Sequence, residues 1–333
     1  MQGSKLLVAI ALCLTAALAQ AAGLRSIDVP ADADGPALKG AMWYPCPEPP
    51  GEIVLGGRSV PGVKDCPISG EKLPLVVVSH DNGGSFVNFP DTAETLADAG
   101  FIVVTVNHPG DNSVDASRVA DLSVFVERPT DIRRLIDFML HASPASPKIN
   151  PEHIGFFGFS AGGYTGLVLI GANPDWAGFL CRRNRSAAAA SACEAILRKE
   201  FRVQPLARDL RIKAVVIADP ANFFTADSFA AVRIPVQLWA SERGGRGLSQ
   251  VDPRLTPESV AAVDRNLPAK HEYHVVPNSG HFAFLSPCPP TLAKDSPTLA
   301  EICTDAPGFD RVAFHKQFNA DVLGFFRAQF GDR

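Results

Sequence analysis

The chain has no excess of basic residues: 31 Lys and Arg stand against 35 Asp and Glu in 333 residues, a formal net charge of −4. That balance cannot neutralise phosphates, which excludes nucleic acid and anionic membrane surfaces as general partners. There is no internal repeat, and no low-complexity tract beyond the alanines Ala187 to Ala190. No cysteine pair has CxxC spacing or a histidine at zinc-site spacing, so no metal and no cofactor are expected. No linker marks a second independent domain.

The first residues read as an address. Lys5 gives a positive start, Leu6 to Leu18 is an apolar run too short to span a bilayer comfortably, and Ala19-Gln20-Ala21 is a small-x-small cleavage pattern. A signal peptide over 1–21 is expected, with maturation near Ala22, a periplasmic or secreted product and no stable membrane insertion. Of the seven cysteines, Cys13 leaves with that segment. The even remainder reads as disulfides in an oxidising compartment, and sequence neighbours pair Cys46–Cys66, Cys181–Cys193 and Cys288–Cys303.

What is present is an ordinary globular composition, 46% hydrophobic and 20% charged, with material for a sizeable core. Short β-rich runs alternate with helical patterns. "PLVVVS" (Pro74 to Ser79), "FIVVTVN", "HIGFFGF", "KAVVIAD", "VQLWAS" and "EYHVVP" read as strands. Between the first two, "DTAETLADAG" has helical spacing with Asp91 as N-cap and Gly100 as stop. "ERPTDIRRLIDFMLHAS" and the terminal "DRVAFHKQFNADVLGFFRAQF" read as amphipathic helices. "GAMWYP" and "EIVLGG" read as antiparallel strands leading in. The alternation predicts a mostly parallel central sheet flanked by helices, one domain over 22–333. Residues 173–211 are too long for an ordinary connection and predict a small helical cap.

One stretch asks for chemistry. "GFFGFSAGGYTG" puts Ser160 between glycines after an apolar strand and before a helical run. A sharp strand-to-helix turn needs small flanking residues, here Gly158 and Gly162, and would lift the hydroxyl to the carboxyl end of the sheet. A serine is a poor nucleophile at neutral pH, so it needs a base and the base needs an orienting acid. His281, in the loop "PNSGHFAFL" after the last strand, is the expected base; His271, His274 and His315 read as structural. The acid is Asp219, ending "AVVIAD", or Glu242, ending "VQLWASE". Asp219 is shorter and stiffer, and its chain turns away at Pro220. Two N–H donors should face the developing oxyanion. Ala161 supplies one, and the loop "HDNGGS" the other, from Asn82 or its neighbour Asp81. His80 reads as loop packing. Phe159 and Phe282 are expected to touch substrate.

These blocks, "LPLVVVSHDNGG", "GFIVVTVNHPGD", "HIGFFGFSAGGYTG", "AVVIADPA" and "GHFAFLSPC", resemble the α/β-hydrolases of the dienelactone hydrolase group, related to plasma-type platelet-activating factor acetylhydrolase. The resemblance runs from about Leu73 to the C-terminus. It implies an α/β-hydrolase fold, a metal-free ester hydrolase, and an acid in the segment that looks like "VIADPA", which favours Asp219. Dienelactone hydrolases carry a cysteine where this chain has Ser160, so their substrate does not transfer by name. The expectation is an exported serine hydrolase of small carboxylic esters acting through an acyl-enzyme. A polyester or lipid ester hydrolase is the alternative within enzymes. A non-catalytic binding protein is the alternative outside them, and an organophosphate probe at Ser160 separates the two.

Overall fold

Apolar β-branched runs form the middle of one sheet. The computed structural model describes residues 21–331, except 50, 56–57, 177, 179–180, 182–192, 195–197, 199–205, 246–252, 269–270, 290 and 295. Residues 1–20 of the expected signal peptide and most of the expected cap lie outside the described residues.

The strands are β1 (Ala21–Val29), β2 (Leu38–Cys46), β3 (Gly51–Leu55), β4 (Arg58–Lys64), β5 (Leu73–Ser79), β6 (Ile102–Val106), β7 (Ile149–Phe159), β8 (Ile212–Ala218), β9 (Val236–Ser241) and β10 (His271–Val276). Among the described residues they form one sheet in the order β10-β9-β8-β7-β5-β6-β2-β1-β4-β3. The strands from β6 through β10 pair in parallel, and β2 runs antiparallel to both β6 and β1. The hairpin β3–β4 extends the far edge.

Parallel strands buried on both faces have no polar side, which is why β5 and β6 read as unbroken apolar runs. Successive residues still alternate between faces. Leu75 and Val77 join one core layer, while Val76 and Val78 join the other. Helix α1 is Pro90–Asp98, α2 is Ser123–His141 and α3 is Ala161–Leu169. Helix α4 is Pro257–Asn266, α5 is Pro297–Ile302 and α6 is Arg311–Phe330. Ile132, Leu135 and Ile136 of α2 and Leu167 of α3 pack in the first layer. Leu96 of α1 and Phe318 and Val322 of α6 pack in the second.

Two local expectations change. The N-cap of α1 is Phe89, not Asp91, because Pro90 starts the helix and places Asp91 in its first turn. There the Asp91 carboxylate ties Ser286, His315 and Asn319 to the helix. Helix α2 begins at Ser123 rather than at "ERPT" and carries Pro129 inside it. The three disulfides join Cys46–Cys66, Cys181–Cys193 and Cys288–Cys303, with Cα atoms 6.2, 5.1 and 5.7 Å apart.

Space at two glycines differs sharply. A Cβ on Gly162 would stand 1.9 Å from the Ser79 carbonyl oxygen, whereas one on Gly324, inside α6, meets nothing within 4 Å. Backbone cannot give way cheaply, so Gly162→Ala is expected to destabilise by about 1–3 kcal/mol or more. Gly324→Ala should stabilise by about 0.5–1 kcal/mol through helix propensity. Thermal unfolding of the two variants checks both signs. A second test uses Glu94 on α1, where burial, then Asp98 and Asp91, push the carboxyl up to about 7 from 4.5. A raised value means the folded state holds the proton more tightly, so this stability is present below pH 4.5 and is lost as pH rises through about 7. Glu94→Gln should therefore raise the melting temperature more at about pH 8 than at about pH 5.

Candidate active site

Ser160 follows β7 directly and caps α3 with φ 55 and ψ −115, in left-handed backbone. Among the described residues five non-glycines have positive φ, and Ser160 and Asp219 (φ 38) are two of them. Such conformations cost about 1–3 kcal/mol each and persist only where the surroundings over-determine them. Here the surroundings are backbone: Ser160 N donates to Ala218 O at 3.0 Å, and Ser160 O accepts from Tyr164 N and Ala221 N, each at 3.0 Å. A Cβ on Gly158 would lie 2.3 Å from Gly162 O, so the small residues flanking the serine are a steric requirement.

His281 and Asp219 meet across 62 residues of sequence. The imidazole Nδ1 donates to Asp219 Oδ2 at 3.1 Å, which leaves Nε2 as the bare, accepting nitrogen. Asp219 also accepts from Ser241 N at 2.8 Å and from the Ser241 hydroxyl. Both side chains are buried, and the Phe159 ring lies 4.6 Å from the imidazole, centroid to centroid. The other candidate acid, Glu242, is exposed and instead accepts from Asn278 N at 2.6 Å. Among the described residues Ser160 Oγ makes no hydrogen bond to His281; unliganded sites commonly close that contact only with substrate present.

Two backbone donors stand free nearby. Among the described residues neither Asn82 N–H nor Ala161 N–H donates to a protein acceptor. For Ala161 the reason is general, since the first turn of a helix has no partner for its N–H groups. The Asn82 side chain is tied down instead, donating to Asp111 Oδ1 at 2.8 Å and to Val119 O at 3.0 Å. Gly83, at φ +67, donates its N–H to the same Asp111 oxygen at 2.7 Å. Asp81 is buried, bonded to Asn88 Nδ2 at 2.8 Å, and its burial pushes its carboxyl above the usual range.

Beneath this loop lies a sealed polar network that sequence reasoning missed. Ser79 Oγ donates to His108 Nε2 at 2.9 Å, and His108 Nδ1 donates to Asp131 Oδ2 at 2.9 Å. His108 N–H donates to His80 Nε2 at 3.2 Å, so His80 Nδ1 carries the proton it gives to Asp81 O at 2.6 Å. Burial holds both imidazoles well below their ordinary range, with Arg128 adding to the effect. Burial pushes Asp131 up to about 7, against the pull of Arg134 and Arg128. His80 is thus loop packing, as expected. The missed signal was "NHPGD": a histidine and an aspartate at the carboxyl end of β6, the strand beside β5.

Phe159 is fully buried, so it backs the imidazole and meets no open cleft. Phe282, the other expected substrate contact, is part-exposed and lines a cavity of about 320 Å³ with Arg243, Gly280, His281, Glu301 and Asp305. His274 stacks on Trp239, and His271 bonds Asp264, which keeps both apart from the site. His315 donates to Asp91 at 2.7 Å and to Ala283 O at 2.9 Å, bracing the loop that carries His281.

Residues 51–134 match the family model of platelet-activating factor acetylhydrolase, isoform II. No curated protein sequence matches the chain. Among solved structures the chain is similar to a ferulic acid esterase from Streptomyces cinnamoneus: 19% identity, covering 95% of this chain and 91% of that one, with a TM-score of 0.63. It is also similar to a dienelactone hydrolase-like promiscuous phosphotriesterase from metagenomic libraries: 17% identity, 93% and 100% covered, with a TM-score of 0.51. The sheet order, the turn after β7 and these similarities show the α/β-hydrolase fold, and residues 51–134 are similar to the acetylhydrolase family.

Proposed function

We propose that the protein is an exported serine hydrolase that cleaves small carboxylic esters through an acyl-enzyme. The observation that carries this reading is the His281–Asp219 hydrogen bond at 3.1 Å, formed beside a serine held in left-handed backbone. An ester hydrolase of this group is what the family match and the fold similarities indicate. The roles of the individual residues are our assignment.

In this mechanism Asp219 fixes the imidazole with its proton on Nδ1, so Nε2 points its lone pair outward. When ester binds, Nε2 takes the Ser160 proton and Oγ adds to the acyl carbon. The N–H groups of Asn82 and Ala161 receive the oxyanion, and because no protein acceptor occupies them they need no reorganisation to do so. His281 then returns the proton to the departing alkoxide. Water repeats the cycle on the acyl-enzyme and frees the acid. Phe282 is the apolar contact we assign to substrate, beside a cavity that Arg243, Glu301 and Asp305 also line. The disulfides and the first 21 residues fit export.

The sealed Ser79–His108–Asp131 array has the same connectivity and is not the reactive one. Ser79 has no exposed surface, and its hydroxyl sits in a hydrogen-bonded strand end. No substrate carbonyl can reach it.

Ser160→Ala is expected to lower kcat on a p-nitrophenyl ester by about 10⁴-fold or more, with the circular dichroism spectrum unchanged. Near-normal turnover by that variant would exclude the mechanism. Asp219→Asn should lower kcat by about 10⁴-fold, as loss of the correct tautomer does, whereas Glu242→Gln should stay within about 3-fold. Kinetics of the two variants side by side decide the acid, and the reverse ranking would reassign it.

A further inference from the structure

We propose that Arg128 is a positioning residue for ester hydrolysis: it aims the Asn82 N–H at the oxyanion by gripping the Asp81 carbonyl behind it. The inference rests on the reading of Ser160 as nucleophile and deepens it.

Arg128 has no exposed surface. Burying a guanidinium is costly unless every donor finds a partner. Its partners lie in two loops, one leaving β5 and the other leaving β6. Nε donates to Asp111 Oδ2 at 2.9 Å. One terminal nitrogen donates to His80 O at 2.7 Å, and the other to Asp81 O at 2.8 Å. The planar fork thus holds two successive carbonyls and Asp111 together, a fixed geometry that an ammonium on a flexible stem does not reproduce.

Peptide planarity turns this grip into aim. The C=O of Asp81 and the N–H of Asn82 belong to one planar trans unit and point in opposite directions. Asp81 O faces inward to Arg128, to Gly84 N at 3.1 Å and to His80 Nδ1 at 2.6 Å. The Asn82 N–H must then face outward, and there it meets no protein acceptor among the described residues. The far side of the loop is held by the same ion pair, because Asp111 Oδ1 accepts from both Gly83 N and Asn82 Nδ2. A Cβ on Gly162 would stand 3.0 Å from His80 O, so the start of α3, with its own free N–H at Ala161, lies against this loop. Without Arg128 the Asp81 carbonyl would keep only Gly84 N and His80 Nδ1, and the 81–82 peptide unit would be less firmly aimed. The donor would then have to be re-aimed during each turnover.

The test uses Arg128→Lys in the full-length exported enzyme, with Ser160→Ala as reference. Lysine keeps the charge but loses the planar fork that fixes both carbonyls and Asp111 together. Loss of one aimed donor should lower kcat by about 10²-fold or more, with KM within about 3-fold. The affinity of a trifluoromethyl ketone, whose tetrahedral adduct places an oxyanion in the same spot, should fall in parallel. A merely structural arginine would lower melting temperature and active fraction without moving the adduct affinity of the folded molecules. Folded Arg128→Lys with wild-type kcat, or with kcat reduced but adduct affinity intact, would overturn the positioning role alone. If Arg128→Lys does not fold, Asp111→Asn supplies the same readouts, since it releases Nε and slackens the fork. Retained turnover in Ser160→Ala would overturn the hydrolase reading itself, and this inference with it.

Discussion

The site depends on one close approach between two backbones. Strands β5 and β7 are hydrogen-bonded neighbours, and their last paired residues are Ser79 and Gly158. The loop leaving β5 and the turn leaving β7 therefore start side by side. Helix α3 then has to begin under that loop, and Gly162 allows it, since any side chain there would occupy the space of the Ser79 carbonyl. On the proposed reading, a glycine is what lets a nucleophile and an oxyanion donor from separate strands share one rim.

Holding that geometry takes polar groups in an unfavourable place. Arg128 and Asp111 are both without exposure, and burial pushes the Asp111 carboxyl up against the pull of the arginine. Removing one partner of such a pair typically costs about 3–5 kcal/mol, while an apolar replacement of both can be neutral. Stability alone does not favour the pair. Specific geometry does: an apolar core would fill the volume but would leave the carbonyls of His80 and Asp81 buried without donors. The network satisfies the inward face of the loop, and the outward Asn82 N–H, without an acceptor among the described residues, is the group we assign to substrate.

Much of this was legible in the sequence because it is local or periodic. Unbroken apolar runs gave the parallel strands, and neighbouring cysteines paired as their spacing suggested. The glycines around Ser160 announced the turn, since only small residues survive that crowding. The choice between Asp219 and Glu242 was harder on residues alone: both end adjacent strands, and only the fold turns one to His281 and the other to Asn278. The network below the loop was not legible. His108, Asp111, Arg128 and Asp131 look in sequence like a turn and a solvated helix face, and nothing local says that Arg128 has no exposed surface. Long-range burial of charge is a property of packing. Phe159 failed for the same reason, as adjacency to Ser160 in sequence placed it under the histidine, not over the cleft.

The molecule holds one complete Ser–His–Asp chain, Ser79–His108–Asp131, and a second His–Asp pair, His281–Asp219, to which we assign Ser160, and the two sets differ in what they leave free. Ser79–His108–Asp131 has both hydrogen bonds formed, at 2.9 Å each. Its serine sits in a regular strand, its hydroxyl is fully engaged, and no surface admits a reactant. That chain is at rest, and its effect is rigidity. In the proposed catalytic set His281 and Asp219 are joined, Ser160 has left-handed backbone, and its hydroxyl makes no hydrogen bond among the described residues. Connectivity alone therefore does not distinguish a catalytic triad from a structural one. On the proposed mechanism the distinguishing features are a hydroxyl and N–H donors without protein partners among the described residues, on a scaffold rigid enough to hold them so.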